Sequence, residues 1–123
     1  MIELKKLTKS FAHAYRGLKV SIKEEQNLRI ELVFCFIALS MGIYFQLVPL
    51  EWIILVITIA LVIGAELFNT SLEKLVDLAS PDLHPLAKKA KDAAAAAVFI
   101  FSFMAVLVGL YLFIPKILSH NLF

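Results

Sequence analysis

The sequence predicts an all-α membrane protein: one amphipathic helix at the N-terminus, then three membrane-spanning helices. Three observations carry this. The 123 residues are 61% hydrophobic, against a usual apolar share of about 45–50%, and the mean hydropathy is +0.87. The chain then divides into a basic, periodic head and long, almost uncharged apolar runs separated by short polar breaks. Finally, a chain this short cannot bury so much apolar surface in a water-soluble core, because small folds leave a large share of their surface exposed.

Leu4, Leu7, Phe11, Leu18 and Ile22 recur at three- and four-residue spacing, with Ala14 and Tyr15 between them, so residues 1–28 predict a helix with one apolar face. Lys5, Lys6, Lys9, Arg16, Lys19 and Lys23 fill the remainder. That is the pattern of a helix lying in the membrane interface; a helix of a soluble bundle is the other reading. These charges leave no uninterrupted apolar stretch for a signal peptide. The first span is expected over residues 30–50, with Glu31 near its start and Gln46 near its end, since about 20 apolar residues cross a hydrocarbon layer of about 30 Å. Pro49, Leu50 and Glu51 are expected to form the turn, with Tyr44 and Trp52 at the interface there.

The second span is expected over residues 52–70, continuing as helix to Asp77 or Leu78. Pro81 and Pro85 break it. A third helix starts near Pro85, spans the membrane over residues 93–114 and is expected to stop at Pro115. Residues 93–97 are five alanines, which suit close helix packing or leave room for a substrate. Cys35 is the single cysteine, so no disulfide forms within the chain. It reads as a small residue facing lipid or a neighbouring helix. The whole chain, residues 1–123, reads as one domain.

Lysine and arginine counts set the orientation. Seven lie before the first span, none in the turn after it, four from Lys74 to Lys91, and Lys116 alone near the end. The N-terminus and the 74–92 segment are therefore expected on the cytoplasmic side.

The most informative residues lie at the end of the second span. A helix turns about 100° per residue, so relative to Glu66, Asn69 falls near about −60°, Glu73 near about −20° and Asp77 near about +20°. All four share one stripe. Ionisable groups at membrane depth are costly and by default mark function. Magnesium takes oxygen ligands, commonly one or two carboxylates plus substrate phosphates. Glu73 is one candidate, and Glu25, at a similar expected depth before the first span, is the second. A solvated helix end, with Glu24 and Glu25 pairing with Lys23 or Arg29, is the alternative. Glu66, the deepest carboxylate, is the candidate general base. Asn69, one turn away, would orient it or a substrate hydroxyl; interhelical hydrogen bonding would explain Asn69 alone, but not three acids on one stripe. No glycine-rich phosphate loop of either common kind is present. Any nucleotide site must therefore use side chains, and Lys91 is the best candidate to neutralise a polyphosphate. For Lys88, Lys89 and Lys91, anchoring at the positive side of the membrane is the competing reading. His13 and His84 are possible nucleotide contacts, and His120, close to the C-terminus, reads as solvated.

The run Glu66-Leu-Phe-Asn69-Thr-Ser-Leu-Glu73-Lys-Leu-Val-Asp77, followed by His84-Pro-Leu-Ala-Lys88-Lys-Ala-Lys91-Asp92-Ala-Ala, resembles the small prokaryotic diacylglycerol kinase family, which includes the undecaprenol kinases of Gram-positive bacteria. The resemblance extends to Ala14-Tyr-Arg16-Gly17-Leu18 and Glu25-Gln-Asn27-Leu-Arg29-Ile-Glu31 and covers essentially the whole chain. It implies a homotrimeric helical bundle in the bacterial inner (cytoplasmic) membrane. It also implies ATP-dependent, Mg²⁺-dependent phosphorylation of a lipid hydroxyl. By residue, it implies Glu66 as the base supported by Asn69. Glu25 and Glu73 would carry the metal with ATP, and Lys91 and Asp92 would contact the nucleotide. Asp82, Leu83 and His84 would lie near its base or ribose, Lys6 and His13 would approach ATP from the N-terminal helix, and Arg16 and Glu31 would lie near the lipid. Asp77 would hold the site's geometry. The segments around Asn27–Ile30 and Asp77–Lys88 look more like the Gram-positive type, which favours undecaprenol over diacylglycerol as acceptor.

Two other classes compete. A small transporter or channel subunit would carry acids near mid-membrane in more than one span, whereas Glu66 lies towards one end and the third span has none after Asp92. A membrane scaffold would tolerate replacement of the acids.

Overall fold

The computed structural model describes residues 3–121, which form four helices. They are α1 (Leu4–Glu24), α2 (Gln26–Tyr44), α3 (Pro49–Ala79) and α4 (Pro85–His120). The last three are long and apolar enough to cross a membrane, and the basic amphipathic helix precedes them, as the sequence predicts. At 1.5 Å per residue α3 is about 46 Å long and α4 about 54 Å. Both exceed the roughly 30 Å hydrocarbon layer.

A single residue separates α1 from α2. Glu25 is extended (φ −97°, ψ 117°) and serves both as the C-cap of α1 and the N-cap of α2. The first span therefore starts as helix at Gln26, before the expected residue 30.

The turn after α2 is not where the prolines suggested. It occupies residues 45–48, and Pro49, Leu50 and Glu51 form the first turn of α3 instead. Proline is pre-set for the first helical position, where its missing N–H is not needed. Glu51 completes the start by accepting the Val48 N–H at 2.9 Å. The helix before it ends at Tyr44, and the chain turns away at Gln46, whose φ is +52°. The Leu47 N–H reaches the Gly42 carbonyl at 3.1 Å and the Gln46 N–H reaches Ile43 at 3.2 Å, which is the hydrogen-bond pattern of a left-handed helix stop. A glutamine there gives no glycine signal to read. Gly42 itself lets Trp52 approach, since a Cβ would stand 2.8 Å from the indole ring.

The expectation that Pro115 ends the last helix was wrong: α4 runs through it to His120. An internal proline costs roughly 3 kcal/mol, but contacts beyond it hold the final turn. Lys116 pairs with Glu51 at 3.0 Å, and the His120 Nε2 and the Tyr44 hydroxyl are hydrogen-bonded at 3.1 Å. His120 is thus joined to the end of α2 and stacks edge-on against Tyr44 and Phe45.

The packed core lies at this end of the bundle. Leu47, Leu55, Leu112 and Phe113 are buried together, with Phe45 and Trp52 against them. Large apolar side chains such as Phe34, Phe36, Phe68, Phe99 and Tyr111 stay exposed around the outside, the surface of a chain surrounded by lipid or by other copies.

Candidate functional site

At the opposite end of α3 the burial pattern changes from apolar to polar. Counting from Pro49, Glu66 lies about 25 Å along the helix. It is 2% exposed, and Thr70, one turn on, is 5% exposed. Leu28 of α2 is fully buried, and Val62, one turn before Glu66, is buried as well. Glu66 is the only acidic side chain in the buried class among the described residues. Burying a carboxylate without a cation beside it is expensive.

Other carboxylates act on it electrostatically. Glu25 and Glu73 both lie within electrostatic range of Glu66, and so does Glu31. The helix period puts Glu73 on the face of Glu66, while Glu25 sits at the extended break between α1 and α2. Asn69 donates from Nδ2 to Glu73 Oε1 at 3.3 Å. Its own Oδ1, and Glu31 Oε2, are buried without a hydrogen-bond partner. These are oxygen donors of the type a hard divalent cation takes. No three or more His, Cys, Asp or Glu side chains among the described residues are arranged to hold a metal alone. A cation held by Glu25 and Glu73 would need phosphate oxygens to complete its shell.

The positive side of the site comes from α4. Lys91 pairs with Asp77 at 2.5 Å, bridging the start of α4 and the end of α3. The hydrogen bond to Asp77 holds its ammonium above the ordinary lysine range, and Glu73 adds to this. Asp92, adjacent in sequence, turns to Lys88 of its own helix instead. Lys74 crosses to Glu24 at 2.5 Å, which raises its ammonium in the same way.

The remaining candidates are placed apart from this cluster. Lys6, His13 and Arg16 are exposed along α1, with Lys6 paired to Glu3 at 3.0 Å. Asp82, Leu83 and His84 lie in the exposed connection before α4. There the Asp82 carbonyl accepts the Ser80 hydroxyl at 3.1 Å, and His84 caps the helix through Nδ1 by accepting the Leu86 N–H. Thr70 was not singled out by sequence reasoning, although its place four residues after Glu66 puts it on the same face. The Glu24–Lys74 pair was also missed; residues fifty positions apart leave no spacing signal.

Two cavities flank the stripe. One, about 560 Å³, is an apolar groove between α3 and α4 lined by Ala65, Phe68, Asn69, Leu72, Ala94 and Phe101, among others. The alanines of α4 thus leave space rather than only packing. The other, about 440 Å³, lies deeper among α2, α3 and α4, with Glu31, Cys35, Thr58 and Ser102 on its wall.

The family model for prokaryotic diacylglycerol kinase matches residues 12–113, which contain every member of the carboxylate cluster. The chain belongs to the prokaryotic diacylglycerol kinase family. That family places it among membrane lipid kinases. It is 39% identical over 94% of its length to the undecaprenol kinase of Bacillus subtilis, and covers 94% of that protein. It is 37% identical to the diacylglycerol kinase of Helicobacter pylori, over 88% of this chain and 85% of that one. With the diacylglycerol kinase of Escherichia coli K12 the identity is 26%, over 83% and 84% of the two chains. Similarity to kinases named for two different lipids runs through the whole bundle of this diacylglycerol kinase family member.

Proposed function

We propose that this protein phosphorylates the hydroxyl of undecaprenol with ATP and Mg²⁺ at the cytoplasmic face of the bacterial inner membrane. It would do so as a homotrimer of single-domain chains spanning the membrane over about residues 30–50, 52–70 and 93–114. The observation that carries the reading is Glu66: a buried carboxylate on a long apolar helix, within electrostatic range of Glu25, Glu31 and Glu73, in a chain of a lipid kinase family.

In this mechanism the acceptor hydroxyl approaches through the apolar surface beside α3 and meets Glu66. Glu66 takes the hydroxyl proton as the alcohol oxygen forms its bond to the γ-phosphorus and the bond to the β-phosphate oxygen breaks. General-base help of this kind contributes about 10²–10⁴-fold. Asn69 holds the Glu73 carboxylate and leaves a free carbonyl oxygen in the site. Glu25 and Glu73 would hold Mg²⁺ with the nucleotide, and the ion would supply neutralisation of the phosphate charge. Lys91 exchanges Asp77 for the polyphosphate, and Asp92, Asp82, Leu83 and His84 contact the nucleotide beside it. Lys6 and His13 approach the nucleotide from α1, Arg16 and Glu31 line the lipid side, and Asp77 keeps the geometry. Phosphoryl transfer asks mainly for positioning and charge neutralisation, which a set of side chains without a glycine-rich loop supplies.

The cytoplasmic orientation is supported by the eleven lysines and arginines before residue 92 against one, Lys116, at the opposite end. The trimer is supported by the exposed apolar walls and by a site open on one side. Undecaprenol is supported by the similarity to the Bacillus kinase. Diacylglycerol is the second reading, favoured by the Helicobacter relative.

The test is a competition in mixed micelles with Mg²⁺ and labelled ATP, offering undecaprenol and diacylglycerol at equal mole fraction. Label chiefly in the prenol supports the proposal, and label chiefly in phosphatidic acid replaces it with the second reading. Absence of label in both lipids sinks the enzymatic reading.

A further inference from the structure

Glu25 lies within electrostatic range of Glu66, at the point where the chain breaks helix for one residue. The break is energetically awkward. The last carbonyls of α1 lose their helical partners there, and three carboxylates brought together repel one another. Something must hold the break in register with α3.

Two features do so. Arg29, one turn into α2, donates from Nη1 to the carbonyls of Ile22 and Lys23 at 3.0 and 2.8 Å. The Glu25 N–H satisfies Ser21 at 2.8 Å, so three of the last four carbonyls of α1 are capped. Glu24, the last residue of α1, pairs with Lys74 of α3 at 2.5 Å. The registers are adjacent: Glu24 pairs with Lys74, while Glu25 and Glu73, each one residue away from that pair, lie within electrostatic range of Glu66. One element fixes the shape of the break and the other fixes its position on α3.

We propose that Arg29 and the Glu24–Lys74 pair form a clasp that positions Glu25 against Glu73 for divalent-metal binding. The proposal rests on the reading of Glu25 and Glu73 as the metal-holding carboxylates. Arg29, Glu24 and Lys74 are positioning residues: they act on the cation through the backbone at Glu25, and none of them touches it.

The sign of two substitutions separates positioning from simple electrostatics. If charge alone mattered, Lys74→Gln would remove a nearby positive charge and tighten cation binding, while Glu24→Gln would weaken it. A clasp weakens binding in both, and the double variant is no worse than either single one, because both break the same link. The probe is Mn²⁺ binding to the purified full-length protein, followed by electron paramagnetic resonance with a non-hydrolysable ATP analogue. Circular dichroism on the same samples verifies equal helix content. We expect Mn²⁺ affinity to fall about twofold to threefold in each single Gln variant and no further in the double, consistent with an exposed pair. It should fall roughly five- to tenfold in Arg29→Gln, where charge-assisted bonds to carbonyls are lost, with partial recovery in Arg29→Lys. The charge-swapped Glu24→Lys/Lys74→Glu protein should regain the parent affinity, which also guards against a folding defect in the single variants. Opposite shifts for Lys74→Gln and Glu24→Gln, or additive effects in the double variant, overturn the clasp while leaving the site intact. Unchanged Mn²⁺ binding in Glu25→Gln removes the metal reading itself, and the clasp falls with it.

Discussion

Lys91 of α4 and Asp77 of α3 meet at 2.5 Å, with the lysine 37% and the aspartate 65% exposed. A pair this open to solvent adds little stability, about 0–1 kcal/mol. In the proposed mechanism it keeps the Lys91 ammonium within electrostatic range of Glu73. Lys91→Gln is therefore expected to raise the KM for ATP roughly tenfold to a hundredfold, the scale of a charge-assisted contact. Asp77→Asn, which leaves that ammonium available, should change it less than about threefold by the same scale. Steady-state kinetics at saturating lipid checks both; equal losses in the two variants would mean that Lys91 serves only to tie the helices.

Glu66→Gln keeps the shape and removes the proton acceptor. Phosphoryl transfer is expected to fall about 10²–10⁴-fold, with nucleotide binding unchanged within about twofold. Single-turnover transfer from labelled ATP, alongside equilibrium binding of an ATP analogue, separates the two effects. Near-normal turnover in this variant would remove Glu66 as the base.

Glu51 predicts an acid limb of stability at the far end of the bundle. The Val48 N–H, and then Lys116, hold its carboxyl below its ordinary value of 4.5. A group with a depressed folded value contributes stability above its unfolded value, and that contribution is lost as pH falls through the folded one. Parent and Glu51→Gln should therefore differ in thermal midpoint at pH 6–7 and converge as pH drops below about 4. Melts followed by circular dichroism would show it, and a constant difference across that range would contradict the assignment.

Gln46 occupies a left-handed position that costs a non-glycine residue about 1–2 kcal/mol. Gln46→Gly should recover about 1 kcal/mol of that, less the added freedom of the unfolded chain. Gly42→Ala should destabilise, because the new methyl meets the Trp52 ring at 2.8 Å. Denaturant or thermal unfolding in detergent distinguishes the two by sign.

Some of this was legible without coordinates. The order of helices, the amphipathic first helix and the long apolar stretches follow from residue periodicity and run length. So does the shared stripe of Glu66, Asn69, Glu73 and Asp77, since neighbours on one helix are set by its turn. The position of the first turn was not legible, because Gln46 stands where glycine would have signalled it and Pro49 starts a helix rather than ending one. Pro115 misled because the helix continues past it to contacts distant in sequence, Lys116 with Glu51 and His120 with Tyr44.

The sequence by itself determined what kind of helices these are and which polar groups each carries, because hydropathy and the 3.6-residue period act within a segment. Only the tertiary structure decided that Glu25 comes within electrostatic range of Glu66, that Lys91 turns to Asp77 and that Glu24 finds Lys74. Those meetings depend on how helices cross and where one residue breaks from helix, and side-chain reach across that geometry has no counterpart in sequence spacing.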